Sequence, residues 1–185
     1  KDKPSLPPEV GGPSKPDDET PIDQEPGRNV LAWVDAHSNV FGTYGKFNDK
    51  AEIVAILDKL KDSGVTGLVI DVKPSTGHTM YPSSLRKDLT TRDGKTRPTD
   101  YVEFLIAEAK KRQMKSYLSI VTFVEGDANR KIGYVYDNPT FKEKNESIVV
   151  ANEQGNLARI STVQNAVFVN PAQPEAQERA LDLIK

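Results

Sequence analysis

Residues 65–73 read VTGLVIDVK, a nearly continuous apolar run that turns polar only at its end. A strand of that composition is buried on both faces, and such strands belong to parallel sheets covered by helices. Two further runs share the pattern, NVLAWVDAH at 29–37 and KSYLSIVTFV at 115–124. Between them, apolar residues recur at helical spacing. Ile53, Val54, Ile56, Leu57 and Leu60 mark one helix, opened by a capping-box-like Asp49…Glu52 and stopped at Gly64. Val102, Leu105, Ile106 and Ala109 mark a second, with Thr99 as the expected cap and Lys110-Lys111-Arg112 complementing the dipole at its end.

Beyond the third strand, Gly126–Gln164 reads as an irregular excursion containing a hairpin of 147–151 against 157–161. Val167–Asn170 is a short extended piece, and Pro174 suits the first position of a last helix. Alternating strands and helices predict a parallel α/β architecture, with three units where a closed eight-stranded barrel needs about 250 residues. The expected fold is therefore the first part of a (β/α)8 barrel over residues 29–185, interrupted before its fourth strand. Three units alone leave a sheet edge and an apolar interior uncovered, which predicts poor folding in isolation.

Residues 1–28 are a different material. They hold seven of the 13 prolines, no aromatic residue and an acidic run at Asp17-Asp18-Glu19. Such a stretch cannot bury enough apolar area to offset its ordering entropy, so a disordered, proline-stiffened tether is expected. A net charge of −2 argues against an electrostatic nucleic-acid binder. No apolar run reaches the roughly 18 residues of a membrane-spanning helix. With no cysteine and 2 histidines, neither a cysteine- or histidine-based metal centre nor a cofactor is expected. Dinucleotide, Walker and nucleophile-elbow motifs are absent; Gly42-Thr43-Tyr44-Gly45-Lys46 has the wrong glycine spacing and lacks the following hydroxyl.

In parallel α/β folds, ligands meet the carboxyl ends of the strands. By the two-residue period, Trp33, Asp35 and His37 share one face of the first strand, and Val69, Asp71 and Lys73 one face of the second. On the third, either Thr122 or the face of Val121, Phe123 and Glu125 points to the axis. Asp71 and Lys73 serve either this mouth or a structural ion-pair network. Asp35 binds either a ligand or the loop backbone. His37, His78 and Tyr81 are site groups or ordinary loop residues, and Glu125 is a general acid or a solvated loop carboxylate.

Three segments add a resemblance: LVIDVKPSTGHTMYPSSL (68–85), YVEFLIAEAKKRQMKSYLSIVTFVEG (101–126) and AVFVNPAQPEAQERALDLIK (166–185). Together they resemble the glycosyl-hydrolase-like family 10 barrels of Bacteroidetes, which are distantly similar to the α-amylase type. The resemblance implies hydrolysis of glycosidic bonds in a poly- or oligosaccharide, with no nucleic-acid partner. It places the catalytic carboxylates beyond Lys185, so none is assigned within the chain. The substrate-facing shell it leaves here is Asp35, His37, Asp71, Lys73, His78, Tyr81, Thr122, Glu125 and Asn170. The same resemblance makes the Lys1-Asp2-Lys3 start and its tether similar to a lipoprotein trimmed after its lipidated cysteine. That implies a periplasmic or cell-surface location, with membrane contact only through an upstream lipid anchor. The alternatives are a non-catalytic surface glycan-binding protein with the same barrel, and a cytoplasmic location.

Overall fold

The computed structural model describes residues 29–138 and 166–184. The expected tether at 1–28 and the expected hairpin within 147–161 lie outside these residues. Three parallel strands form the main sheet: β1 (Leu31–Val34), β2 (Gly67–Lys73) and, after a two-residue β3 (Thr91–Arg92) and β4 (Lys95–Thr96) pair, β5 (Lys115–Ile120). Their order is β1-β2-β5, so β2 lies in the centre with both edges paired, as its apolar run demands. Trp33, Val69 and Tyr117 stand side by side across the three strands.

Helices α1 (Lys50–Asp62) and α2 (Tyr101–Lys111) cover one face. Leu68, Ile70 and Val72 of β2 pack there against Ile53 and Leu57 of α1 and Leu105 and Ala109 of α2. The Asp49 carboxylate accepts from the Glu52 N–H at 3.0 Å and so caps α1. The reciprocal half of the box is missing, because Glu52 turns to Lys46 at 3.1 Å instead. The cap expected at Thr99 is not made. The residue before α2 is Asp100, and its carboxylate is drawn 2.6 Å from Lys50 Nζ on α1, so the first turn of α2 has no side-chain cap.

The other face of the sheet is open along its two outer strands, while Asp71 and Lys73 of β2 are buried. Leu31, Trp33 and Tyr117 are exposed there, Trp33 to 60%. In a closed barrel these positions form an interior layer of packed side chains.

The third strand is shorter than its apolar run. It ends at Ile120, the chain turns through Thr122 and Phe123, and β6 (Val124–Asp127) starts a separate sheet. Phe123 takes φ +60°, a rare conformation for a bulky side chain. The Lys73 ammonium binds the carbonyls of Val121 and Val124 on either side of this turn. A register shift between Asp71 and Lys73 accompanies it. The irregular excursion expected from Gly126 therefore begins as a strand, and β6 pairs antiparallel with β7 (Ala166–Phe168). The short helix α3 (Tyr134–Asp137) and α4 (Pro174–Asp182) complete the described elements, with Pro174 at the start of α4. Val135, Val167, Val169 and Ala176 form a second small core between them.

Candidate functional site

The carboxyl end of β2 places Asp71 among buried groups. Its Oδ2 accepts weakly from the Ala36 N–H at 3.5 Å, and its Oδ1 has no partner. A carboxylate needs several donors to stay ionised away from water, and one long bond does not supply them. Burial accordingly pushes the Asp71 carboxyl up to about 6; the Ala36 bond opposes this, the nearby Asp35 charge adds to it and Lys73 opposes it. The Tyr101 hydroxyl, also buried and without a partner, is held above the usual phenol range by its burial.

Asp35 follows β1 directly and binds backbone. Its carboxylate accepts from the Ser38 N–H at 2.6 Å and caps a π-helical segment, Ala36–Phe41. That segment changes the geometry expected for His37. The strand ends at Val34, the two-residue period stops with it, and coiled backbone rather than strand alternation sets the imidazole's position. The half-buried His37 ring lies against the Arg92 guanidinium, whose Nη1 contacts Nδ1 and is 3.2 Å from Nε2, and Nε2 is 3.5 Å from Ser75 Oγ. Burial and then the Arg92 guanidinium hold the imidazole down at about 4, so it is neutral at physiological pH.

Lys73 is consumed by the fold. Its ammonium donates to Val121 O at 2.6 Å and Val124 O at 2.9 Å, and lies 3.5 Å from Glu125 Oε1. Glu125 is not a solvated loop carboxylate: β6 carries it inward, where Oε1 also accepts from Arg86 at 3.3 Å. Its Oε2 faces Gly77, where a Cβ would sit 2.4 Å away. Gly77 has φ +78°, so glycine is required there for conformation and for space. Arg86 in turn stacks 3.6 Å over the Tyr134 ring. The Lys73–Glu125–Arg86 triad thus fastens the long loop after β2 to β6.

The other expected site residues are dispersed. His78 is buried, donates from Nε2 to the Asp137 carboxylate at 2.6 Å and has no partner at Nδ1; burial lowers its pKa. Tyr81 lines a groove of about 570 Å³ with Val72, Val102 and Leu118, on the helix-covered side of the sheet. Val72 and Asp71 are successive residues of a strand, so that groove and the mouth lie on opposite faces. Thr122 is exposed in the turn after β5. Asn170 Oδ1 accepts from the Ala172 N–H at 2.9 Å and shapes the turn before α4. The structure therefore brings together Asp35, His37 and Asp71 at the mouth, and pairs Lys73, two residues further along β2, with Glu125.

Arg86, Arg92, Arg130 and Asp137 are absent from the sequence reading. Each sits in a loop or short element without periodicity, and no local signal marked it. Among the described residues, no three His, Cys, Asp or Glu side chains gather to hold a metal ion. None of the described helices is long and apolar enough to cross a membrane.

A parallel β/α wall whose strand ends carry a desolvated carboxyl, a capping Asp and a neutral His is the architecture of part of a (β/α) barrel. The chain belongs to the glycosyl hydrolase-like 10 family, which matches residues 30–185. Among solved structures it is similar to an α-amylase from Lactobacillus plantarum, with TM-score 0.54 and 16% identity over 84% of this chain and 35% of that one. A noncanonic maltogenic α-amylase, AmyB of Thermotoga neapolitana, gives 0.53 and 16% over the same shares, 84% and 35%. An α-L-fucosidase isoenzyme 2 from Paenibacillus thiaminolyticus gives 0.53 and 13% over 85% and 21%. These likenesses are of fold. An S-layer-related protein of Niallia circulans is 26% identical over 174 residues, which is 86% of this chain and 10% of that protein. The chain thus spans a minor part of each of these proteins.

Proposed function

We propose that the protein hydrolyses glycosidic bonds of a poly- or oligosaccharide bound at the carboxyl ends of β1, β2 and β5, as part of a longer barrel. The observation that carries this reading is Asp71: a carboxyl at a strand end, with one unpartnered oxygen and a pKa raised to about 6 by burial. Glycoside hydrolysis needs one carboxyl that keeps its proton near neutral pH and a second that is ionised. Asp71 has the first property, and none of the described residues is given the role of the ionised partner. Neutral His37 and the backbone-bound Asp35 flank the substrate. A cell-surface location on a lipid anchor, with residues 1–28 as tether, belongs to the same proposal.

A second reading is a surface glycan-binding protein without catalysis; the name of the S-layer-related protein to which the chain is similar fits the surface part of that reading alone. The test is release of reducing ends from a panel of polysaccharides by the full-length protein and its Asp71→Asn variant. Hydrolysis reduced at least about a hundredfold in the variant supports the enzymatic reading. Saccharide binding with no release of reducing ends favours the second. Release unaffected by the substitution removes Asp71 from the chemistry.

A further inference from the structure

A second cleft, of about 490 Å³, opens between the segment around β3 and the segment leading into α3. Its volume is within the roughly 300–1,000 Å³ of small-ligand sites. Three cations line it, Lys87, Arg92 and Arg130. Two carboxylates answer them. Asp93 serves both guanidiniums, at 3.4 Å from Arg92 Nε and 3.2 Å from Arg130 Nη1. Asp137 is divided between His78 Nε2 at 2.6 Å and Lys87 Nζ at 3.7 Å. A third lining carboxylate, Asp88, is committed to the buried Arg97.

Lys87, Arg92 and Arg130 are formally balanced by Asp88, Asp93 and Asp137, but with Asp88 held by Arg97, which is outside the lining, the three cations face only Asp93 and Asp137 across the cleft. Asp93 is at the exposed tip of the β3–β4 turn, and its ion pairs are of the weak, solvent-screened kind. Arg92, by contrast, is mostly buried, and burial followed by the field of Arg130 lowers its pKa. Two neighbouring guanidiniums with one exposed carboxylate between them match the geometry of a planar or tetrahedral oxyanion. His78, whose ring is buried in the wall of the cleft, keeps Nδ1 without a partner. Arg92 also bonds His37, so the cleft adjoins the mouth.

We propose that this cleft binds an anionic substituent of the saccharide, a uronate carboxylate or a sulfate ester, and that the protein's ligands are acidic glycans. The inference rests on the glycan reading above and narrows its substrate class. Arg92 and Arg130 supply the paired donors, and Asp93 swings aside as the oxyanion takes its place.

The experiment is calorimetric titration of the full-length protein with three hexasaccharides: an oligogalacturonate, a heparin-derived sulfated oligomer and neutral maltohexaose. At least one acidic oligomer binds about tenfold or more tighter than the neutral one, and that advantage shrinks as salt rises from about 0.02 M to about 0.5 M. Which acidic oligomer binds separates carboxylate from sulfate recognition. In an Arg92→Gln/Arg130→Gln variant the acidic-to-neutral affinity ratio falls about tenfold, while Arg130→Lys, which keeps the charge, retains part of it. Thermal unfolding of each variant identifies loss of fold. Equal or tighter binding of maltohexaose overturns the inference and leaves the glycan reading standing; binding of no saccharide overturns both.

Discussion

Lys73 Nζ lies 3.5 Å from Glu125 Oε1 with both side chains almost wholly out of water, joining the end of β2 to the start of β6. The pair lies at the carboxyl end of β2, two residues beyond Asp71. Its members hold the turn that ends β5 and the loop that follows β2, and neither presents a free charge to a ligand. Removing one partner of a buried pair strands the other. Lys73→Met is therefore expected to cost about 3–5 kcal/mol, and Lys73→Met/Glu125→Gln less than the sum of the two single changes. Urea unfolding of the four proteins gives the coupling, and strict additivity would show that the pair does not interact.

Asp71 gives a pH signature of opposite sign to an ordinary ion-paired carboxylate. Its folded-state pKa, about 6, lies above the ordinary value of 3.8. The folded protein thus holds this proton more tightly than the unfolded chain does. The contribution is full below pH 3.8 and is lost as pH rises through about 6. Asp71→Asn is expected to raise stability above pH 6 by on the order of 2–3 kcal/mol, and to change it little at pH 3.5. Melting temperatures of both proteins across that range provide the check; a difference independent of pH would remove the raised pKa.

His37 acts on the acid side. Its pKa is lowered from 6.5 to about 4, so the native state resists a proton that the unfolded chain accepts. Stability from this group is full above pH 6.5 and falls as pH drops toward 4. His37→Gln is expected to flatten that part of the acid limb. Titration of the imidazole by NMR gives the pKa directly, and a midpoint near 6.5 would contradict its burial against Arg92.

Gly133 has φ +115°, and a Cβ there would lie 2.3 Å from Thr76 O and 2.5 Å from the Gly126 Cα. Both obstacles are backbone and cannot swing away. Gly133→Ala is expected to destabilise by more than about 3 kcal/mol. The loop after β2 should be released with it, read as faster proteolysis near Thr76.

Trp33, the 1 tryptophan of the chain, is 60% exposed on the open face of the sheet. In the 185-residue chain its fluorescence should be quenched by acrylamide nearly as readily as that of free tryptophan. In any longer form in which further strands cover this face, the emission should move to shorter wavelength and quenching should fall. Equal quenching in both would mean that nothing packs on this face.

The parallel sheet was legible because β2 carries its environment in its composition: a strand buried on both sides has no polar alternation to obscure it. The helices were legible for the related reason that Ile53, Leu57, Leu105 and Ala109 repeat at the period of the element that buries them. Periodicity also misled. It placed His37 on a strand face, whereas a π-helical segment takes over at Ala36, and it ran β5 on to Val124 where the Lys73 ammonium turns the chain. The cap at Thr99 failed because Lys50, far away in sequence, engages Asp100. The arginines of the second cleft obey no period, and the contacts that place them, Arg92 on His37 and Arg130 on Asp93, span tens of residues. Long-range charge pairing leaves no local mark in a sequence.

The antiparallel contact of β6 with β7 has a consequence for how such a rim diversifies. The polypeptide departs at Asp127 and comes back to the same ladder at Ala166, so whatever lies between is anchored at a fixed gate. Lengthening a segment closed in this way is inexpensive, about 0.6 kcal/mol for each doubling. Neither β2 nor its helices need register the change. Relatives can thus exchange this insert for longer or shorter versions and acquire new ligand preferences while the wall that carries Asp71 stays as it is.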